Sequence, residues 1–215
     1  MDDKERKLIK TLNKIGVDTR FISLYENVIY VNNLKFSRFS RKKEEDFHQT
    51  YPDIKVIRSK LFQKICIKVS RTIKNQIKPR DIIYIKEDDT NRSHLLNIVL
   101  EPYRRKYGIT LTKNVDEADK TASTKCMNDF AHDYINLMIN SNKITNDFKE
   151  DVIYPLLHVD DVWINDWIET TTLDTKKYEN KKSIENEIID FLDTKIPNVC
   201  ESLIQSVNYL DKVEE

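Results

Sequence analysis

The segment Lys86-Glu87-Asp88-Asp89-Thr90-Asn91-Arg92-Ser93 separates a short apolar run, Asp81 to Ile85, from an apolar-periodic stretch that begins near Ser93. Between a strand and a helix start, such a loop is where main-chain N–H groups hold phosphate. Its residue types argue against that use. Three consecutive acids would repel a triphosphate by several kcal/mol in a low-dielectric pocket, and no glycine lets the backbone close on the ligand. The whole chain holds only 2 glycines, against a usual ~7%. A magnesium ion bridged by Glu87 and Asp88 is one chemistry open to these acids; dipole partners in a first helical turn is the other. Cys126 lies just before a predicted helix, where a thiolate is stabilised, so a sulfur-accepting role stands beside that of a buried apolar thiol. Neither Cys66, Cys126 and Cys200 nor His48, His94, His132 and His158 show metal-ligand spacing. No metal and no cofactor is expected.

A second set of residues suits phosphate from outside. The 36 basic and 36 acidic side chains cancel in total. Residues 1–80 nevertheless carry a net +11 and residues 81–215 a net −11, an asymmetry that fits a polyanion-binding part joined to an acidic one. Lys60, Lys64, Lys68 and Arg71 fall on one side of a predicted helix, with Lys74 and Lys78 continuing the row. Like charges at i and i+4 repel by a few tenths of a kcal/mol per pair, which a polyanion relieves. Upstream, Arg38, Arg41, Lys42 and Lys43 add four cations in six residues, with Phe36 and Phe39 as stacking partners.

The elements that must carry these groups follow from periodicity. Pro52 and Asp53 suit a first helical turn and Pro79 a stop, which predicts one helix over about 53–78. Its apolar stripe is Ile57, Leu61, Ile65, Val69 and Ile73, opposite the lysines. Asp81–Ile85 reads as a strand, Ser93 to about Tyr107 as a helix broken by Pro102, and Ile109-Thr110-Leu111 as the next strand of a parallel sheet. Trp163 and Trp167, at i and i+4, form one face of a short helix that is core when covered and a partner surface when exposed. The 215 residues allow one core. No signal peptide or membrane span is expected, and the three widely spaced thiols fit a reducing cytosolic or nuclear setting.

Several segments together resemble the cytoplasmic tRNA 2-thiolation protein 2 family. Leu95-Leu96 align with the Leu-Leu helix that follows the signature loop in catalytic PP-loop relatives, while Glu87, Asp88, Asp89 and Arg92 replace the signature residues. Asp46-Phe47, Tyr51, Lys55 and Arg58 echo an upstream Cys-Phe, tyrosine and basic motif, with Asp46 where the family has cysteine. Thr121-Ala122-Ser123-Thr124 before Asn128-Asp129-Phe130-Ala131, the Tyr154-Pro155-Leu156 turn, and Ser183-Ile184 through Leu210 follow the family's order.

The resemblance implies a reduced Rossmann-like α/β fold of the PP-loop, adenine nucleotide alpha hydrolase-like type, a parallel sheet flanked by helices. About fourteen residues join the first helix of that layer to Thr121, too few for a full strand-helix-strand excursion. Residues 1–50 form an N-terminal basic segment and residues 51–215 the α/β domain with a helical tail. The resemblance further implies a cytoplasmic, noncatalytic subunit that binds tRNA and scaffolds a catalytic PP-loop thiolase, which receives sulfur from a ubiquitin-like carrier. Arg38, Arg41, Lys42, Lys43, Lys60, Lys64, Lys68 and Arg71 are its expected RNA contacts; Glu87, Asp88, Asp89, Arg92 and Ser93 form its degenerate nucleotide loop. Two alternatives remain: an ATP-dependent tRNA-modifying enzyme using Cys126, and a helical adaptor without an RNA role.

Overall fold

The computed structural model describes residues 3–142, 148–171, 173, 175–177 and 183–214. Helix α1 (Asp3–Lys14) ends at Gly16, whose φ of +76° closes the last turn through Val17 N–H to Leu12 C=O. Strands β1 (Ile22–Tyr25) and β2 (Val28–Val31) form an antiparallel hairpin. Its two turn residues, Glu26 and Asn27, both have positive φ, the geometry that matches strand twist. Short helices α2 (Leu34–Ser37) and α3 (Arg41–His48) lead to β3 (Lys55–Ile57), which pairs parallel to β2.

Strand β2 is buried along its whole length because it has a core on each face. Ile29 and Val31 join Leu8, Leu12, Phe39 and Phe47, while Val28 and Tyr30 point to the opposite face and join the main core with Phe62 and Trp167. Residues 3–57 thus fold as a small layered unit docked onto the rest of the chain.

Helix α4 (Lys60–Thr72) follows, then β4 (Ile82–Ile85), α5 (Asn91–Leu100), α6 (Tyr103–Lys106), β5 (Thr110–Thr112), β6 (Lys120–Ala122), α7 (Met127–Ile139), β7 (Val152–Ile153), α8 (Asp161–Glu169), α9 (Ile184–Asp193) and α10 (Val199–Glu214). The second sheet has the order β5-β4-β6-β7 and is wholly parallel. Ile83 and Ile85 of β4 pack with Leu95, Leu96, Ile98 and Val99 of α5. Helices α7, α9 and α10 gather around a separate cluster that includes Phe130, Tyr134, Ile189 and Ile204. A 3-10 turn, Val115–Glu117, joins β5 to β6 in place of a crossover helix, the shortened connection that the spacing predicts. Pro102 separates α5 from α6, as expected of a residue that cannot continue a helix.

The helix expected over 53–78 is not continuous. Lys55–Ile57 is a strand, and the helix starts after Ser59, whose hydroxyl accepts from Phe62 N–H at 3.2 Å. The β-branched pair Val56-Ile57 finds strand partners in β2, and its place in the 3.6-residue stripe was coincidental. Phe62, Ile65, Val69 and Ile73 are buried as that stripe requires.

Candidate functional site

Strand β4 delivers the chain to the carboxyl end of the parallel sheet, and Thr90 caps α5 through its hydroxyl, which accepts from Ser93 N–H at 3.3 Å. Glu87, Asp88 and Asp89 therefore precede the helix; they do not form its first turn, as the dipole reading expected. Asp88 accepts from Thr90 N–H at 3.1 Å and from the Thr90 hydroxyl. Glu87 pairs with Lys113, and Lys176 lies 3.7 Å from Asp89. Beside the loop is a cavity of about 400 Å³ lined by Tyr25, Glu26, Glu87, Asp88, Asp89 and His94. Burial, then Glu26 and Glu87, push the Tyr25 hydroxyl up to about 12; it hydrogen-bonds His94 Nδ1 at 2.8 Å.

Two features close the helix start. Lys176 forms a parallel bridge with Thr90, in which its carbonyl accepts from Asn91 N–H at 3.0 Å and its own N–H donates to Asp89 C=O at 2.8 Å. An early N–H of α5, a group a phosphate would use, is thus satisfied by the chain's own backbone. The charge effect is smaller than the sequence suggests. The side chains of Glu87 and Asp89 are 59% and 79% exposed, so each would oppose an anion by about 1 kcal/mol at ~4 Å in water, and a lysine partly offsets it.

Arg92 does not face the loop cavity. It is 1% exposed and runs inward to Asp129 of α7 at 2.7 Å and Asp161 of α8 at 2.9 Å. Asp129 also accepts from Cys126 N–H at 2.7 Å, and Asn128 Oδ1 accepts from Asp161 N–H at 2.8 Å. Three helix starts are held together by this buried polar junction. Ser93 is likewise buried and donates to Lys86 C=O at 2.9 Å. Both residues lock the loop to the scaffold.

Cys126 occupies the N-cap of α7, where the sequence placed it, but it is fully buried. Burial and then Asp129 push its thiol well above the ordinary range, against the weaker pull of Arg92. A thiol in that state is a poor nucleophile.

The basic residues lie on two segments. Arg38, Arg41 and Lys42 are exposed, and Lys43 is half-buried with its ammonium donating to Gly16 C=O at 2.6 Å. On α4, Lys60, Lys64 and Arg71 are exposed, whereas Lys68 pairs with Glu201 of α10 at 2.9 Å. Lys64 and Lys68 stand 5.9 and 5.6 Å from the ring of half-buried Trp163. Trp167 is core, stacked on Phe62 at 4.8 Å. Of the two proposed stacking partners Phe36 is 53% exposed and Phe39 is buried. Arg58, from the upstream basic motif, is spent on Glu44 and Phe39 C=O. The Lys176 bridge and the approach of Lys106 to Phe21 were not anticipated; both depend on residues distant in sequence.

A solved structure, the U34-tRNA thiolase NcsA of Methanococcus maripaludis with its [4Fe-4S] cluster, superposes with a TM-score of 0.54 over 76% of this chain and 83% of that one, at 13% identity. This chain has a PP-loop fold. No protein-family model matches it. A probable sulfurtransferase of Methanocaldococcus jannaschii is 39% identical over 93 residues, which are 42% of this chain and 27% of that protein. The match thus spans about a quarter of the relative. Within the PP-loop fold, the acidic loop Lys86–Asp89 stands after β4, the strand flanked by β5 and β6.

The cluster in the thiolase raises the question of whether these residues suit one. Among the described residues no group of three His, Cys, Asp or Glu is placed to hold a metal. Cys66 lies in α4, Cys126 at the start of α7 and Cys200 in α10, and burial raises all three thiols. The three cysteines do not fit an iron-sulfur centre. Nor is any helix among the described residues long and apolar enough to cross a membrane.

Proposed function

We propose that the chain is a noncatalytic subunit of tRNA sulfur modification, of the cytoplasmic tRNA 2-thiolation protein 2 type. It binds tRNA and supports a separate PP-loop thiolase that activates the wobble uridine and takes sulfur from a ubiquitin-like carrier. The observation that carries this reading is the closed start of α5, where Lys176 C=O holds Asn91 N–H beside three carboxylates. Opening it for a triphosphate costs two backbone hydrogen bonds, about 1 kcal/mol each, before any repulsion counts. The buried Cys126 thiol points the same way.

RNA contact is supported by exposed Arg38, Arg41, Lys42, Lys60, Lys64 and Arg71, none of which meets a carboxylate within ion-pair distance among the described residues. The thiolase and sulfurtransferase likenesses supply the sulfur chemistry of the proposed assembly. A partner surface is available at the tail, where Ile184, Phe191 and Tyr209 are 62%, 63% and 68% exposed.

The test pairs two titrations on the full chain. Calorimetry with ATP and magnesium is expected to give no binding. A gel shift with bulk tRNA is expected to give a complex at low salt that weakens as salt rises. Micromolar, magnesium-dependent ATP binding would overturn the closed-loop account, and no tRNA complex at low salt would leave an adaptor.

A further inference from the structure

Between the hairpin unit and α4 lies a second cavity, of about 210 Å³, lined among others by Phe21, Phe36, Ile67, Arg71, Tyr103 and Lys106. It falls below the ~300–1,000 Å³ of a whole small-molecule site, so its natural occupant is a single flat group. Phe21 and Phe36 form one wall, their centroids 5.3 Å apart and their planes tilted by 34°. Phe36 and Ile67 are 53% and 43% exposed. The cavity is an open slot with an aromatic side.

Among the described residues neither Arg71 nor Lys106 has a carboxylate within ion-pair distance. Lys106 instead rests on rings, its ammonium 5.0 Å from the centroid of Phe21 and 4.6 Å from that of Tyr103. Burial lowers its pKa, with Cys66 and Asp18 acting weakly the other way, and the π-faces are the groups in direct contact with its ammonium. Asp18 also acts on it electrostatically, and Arg20 already engages that carboxylate at 2.8 Å. Arg38 also contributes to the field on Asp18, which puts a further exposed cation on this side.

Unmatched cations beside an exposed aromatic wall are the recognition chemistry of single-stranded nucleic acid, whose bases stack while phosphates meet the charges. An A-form duplex keeps its bases in its own stack and cannot offer one to Phe36. An acidic peptide would use Arg71 and Lys106 but would gain little from Phe36.

We propose that this slot takes one unstacked base of single-stranded RNA, its ring against Phe36 and Phe21 and its phosphate at Arg71 and Lys106. The proposal rests on the RNA-binding reading above and adds the form of RNA that the chain selects.

Fluorescence anisotropy of the full chain with a labelled oligouridylate and with a blunt RNA duplex of equal charge tests it. The wild type should prefer the single strand. Phe36→Ala should weaken single-strand binding about tenfold and leave duplex binding unchanged, while Phe36→Trp should retain the preference. Arg71→Gln should reduce the salt slope for the single strand by roughly 0.7. Circular dichroism confirms that each variant is folded. If both RNAs bind and Phe36→Ala matches the wild type on the single strand, the slot is wrong and the RNA-binding reading survives. If neither RNA binds, both fall. Displacement of the oligonucleotide by polyglutamate, equally in the wild type and Phe36→Ala, would assign the patch to an acidic protein and overturn the slot.

Discussion

Replacing Arg92 by leucine separates a nucleotide-binding arginine from a structural one. In the structure the guanidinium is 1% exposed and serves two carboxylates, Asp129 at 2.7 Å and Asp161 at 2.9 Å, which are themselves 18% and 11% exposed. Arg92→Leu leaves both acids in a poorly solvated junction without their cation. Removing one partner of a buried pair costs about 3–5 kcal/mol, and the residual exposure of the acids favours the lower end, ~3 kcal/mol. For a chain of this size each kcal/mol lowers the melting temperature by about 2–4 °C, so calorimetry or circular dichroism should show a drop of roughly 6–12 °C. Urea titration should show a lower midpoint at nearly constant slope. Adding Asp129→Asn and Asp161→Asn removes the stranded charges and keeps an acceptor for Cys126 N–H, so the triple variant should recover part of the loss. A melting temperature within about 2–4 °C of the wild type, equivalent to roughly 1 kcal/mol, would refute the structural role. So would a rise on adding ATP and magnesium that is present in the wild type and absent in the variant, since that would make Arg92 a phosphate ligand.

Cys126 and Cys200, 0% and 7% exposed, should resist a thiol reagent at pH 8 in the native chain, and all three cysteines should react in urea; rapid labelling of native Cys126 would restore it as a sulfur acceptor. Burial raises the Glu201 carboxyl, but Lys68 at 2.9 Å and His158 at 3.1 Å more than reverse this, holding it below its ordinary 4.5. Because the folded value is depressed, the stabilisation is present above pH ~4.5 and is lost as pH falls through the folded value; Glu201→Gln should abolish that part of the acid titration of stability, less than about 1 kcal/mol, and an unchanged profile would contradict the α4–α10 link. Neutralising Lys60 and Lys64 together should reduce the salt slope of tRNA binding by about two, measured by titration at several salt concentrations, whereas an unchanged slope would remove α4 from the interface.

The parallel layer was legible because its signals are local. The apolar run of β4, the caps and the proline between α5 and α6 each act within a few residues of where they stand. The helix expected over 53–78 failed where two periodicities overlap, since Ile57 fits both the 3.6-residue stripe and the edge of a three-residue strand. Ser59 was the available signal: a hydroxyl two residues beyond a β-branched pair is a helix start. Glu87, Asp88 and Asp89 were visible, but Lys176 closing on Thr90 and Arg92 reaching Asp161 are encounters that only the folded chain defines. Charge alone could not reveal that Lys68 faces Glu201 while Lys60 faces solvent, because both occupy the same helical stripe.

The proposed RNA surface has two parts that answer differently to ionic strength. Lys60 and Lys64 are separated by about 6 Å of helical rise, inside the ~8 Å Debye length of physiological salt, so they would act on a phosphate chain together. Lys68 is already paired with Glu201, which leaves Lys60, Lys64 and Arg71 as the counterion-releasing set on α4. At 1 M salt the Debye length falls to about 3 Å and this contribution largely disappears. Stacking on Phe36 carries no net charge and is not screened. On the proposed surface, tight binding at low salt would be set by the α4 cations, and the fraction persisting at high salt would measure the aromatic slot. Charge would set how strongly RNA of any sequence is drawn in, while Phe21 and Phe36 would set whether its bases must be free to leave their own stack.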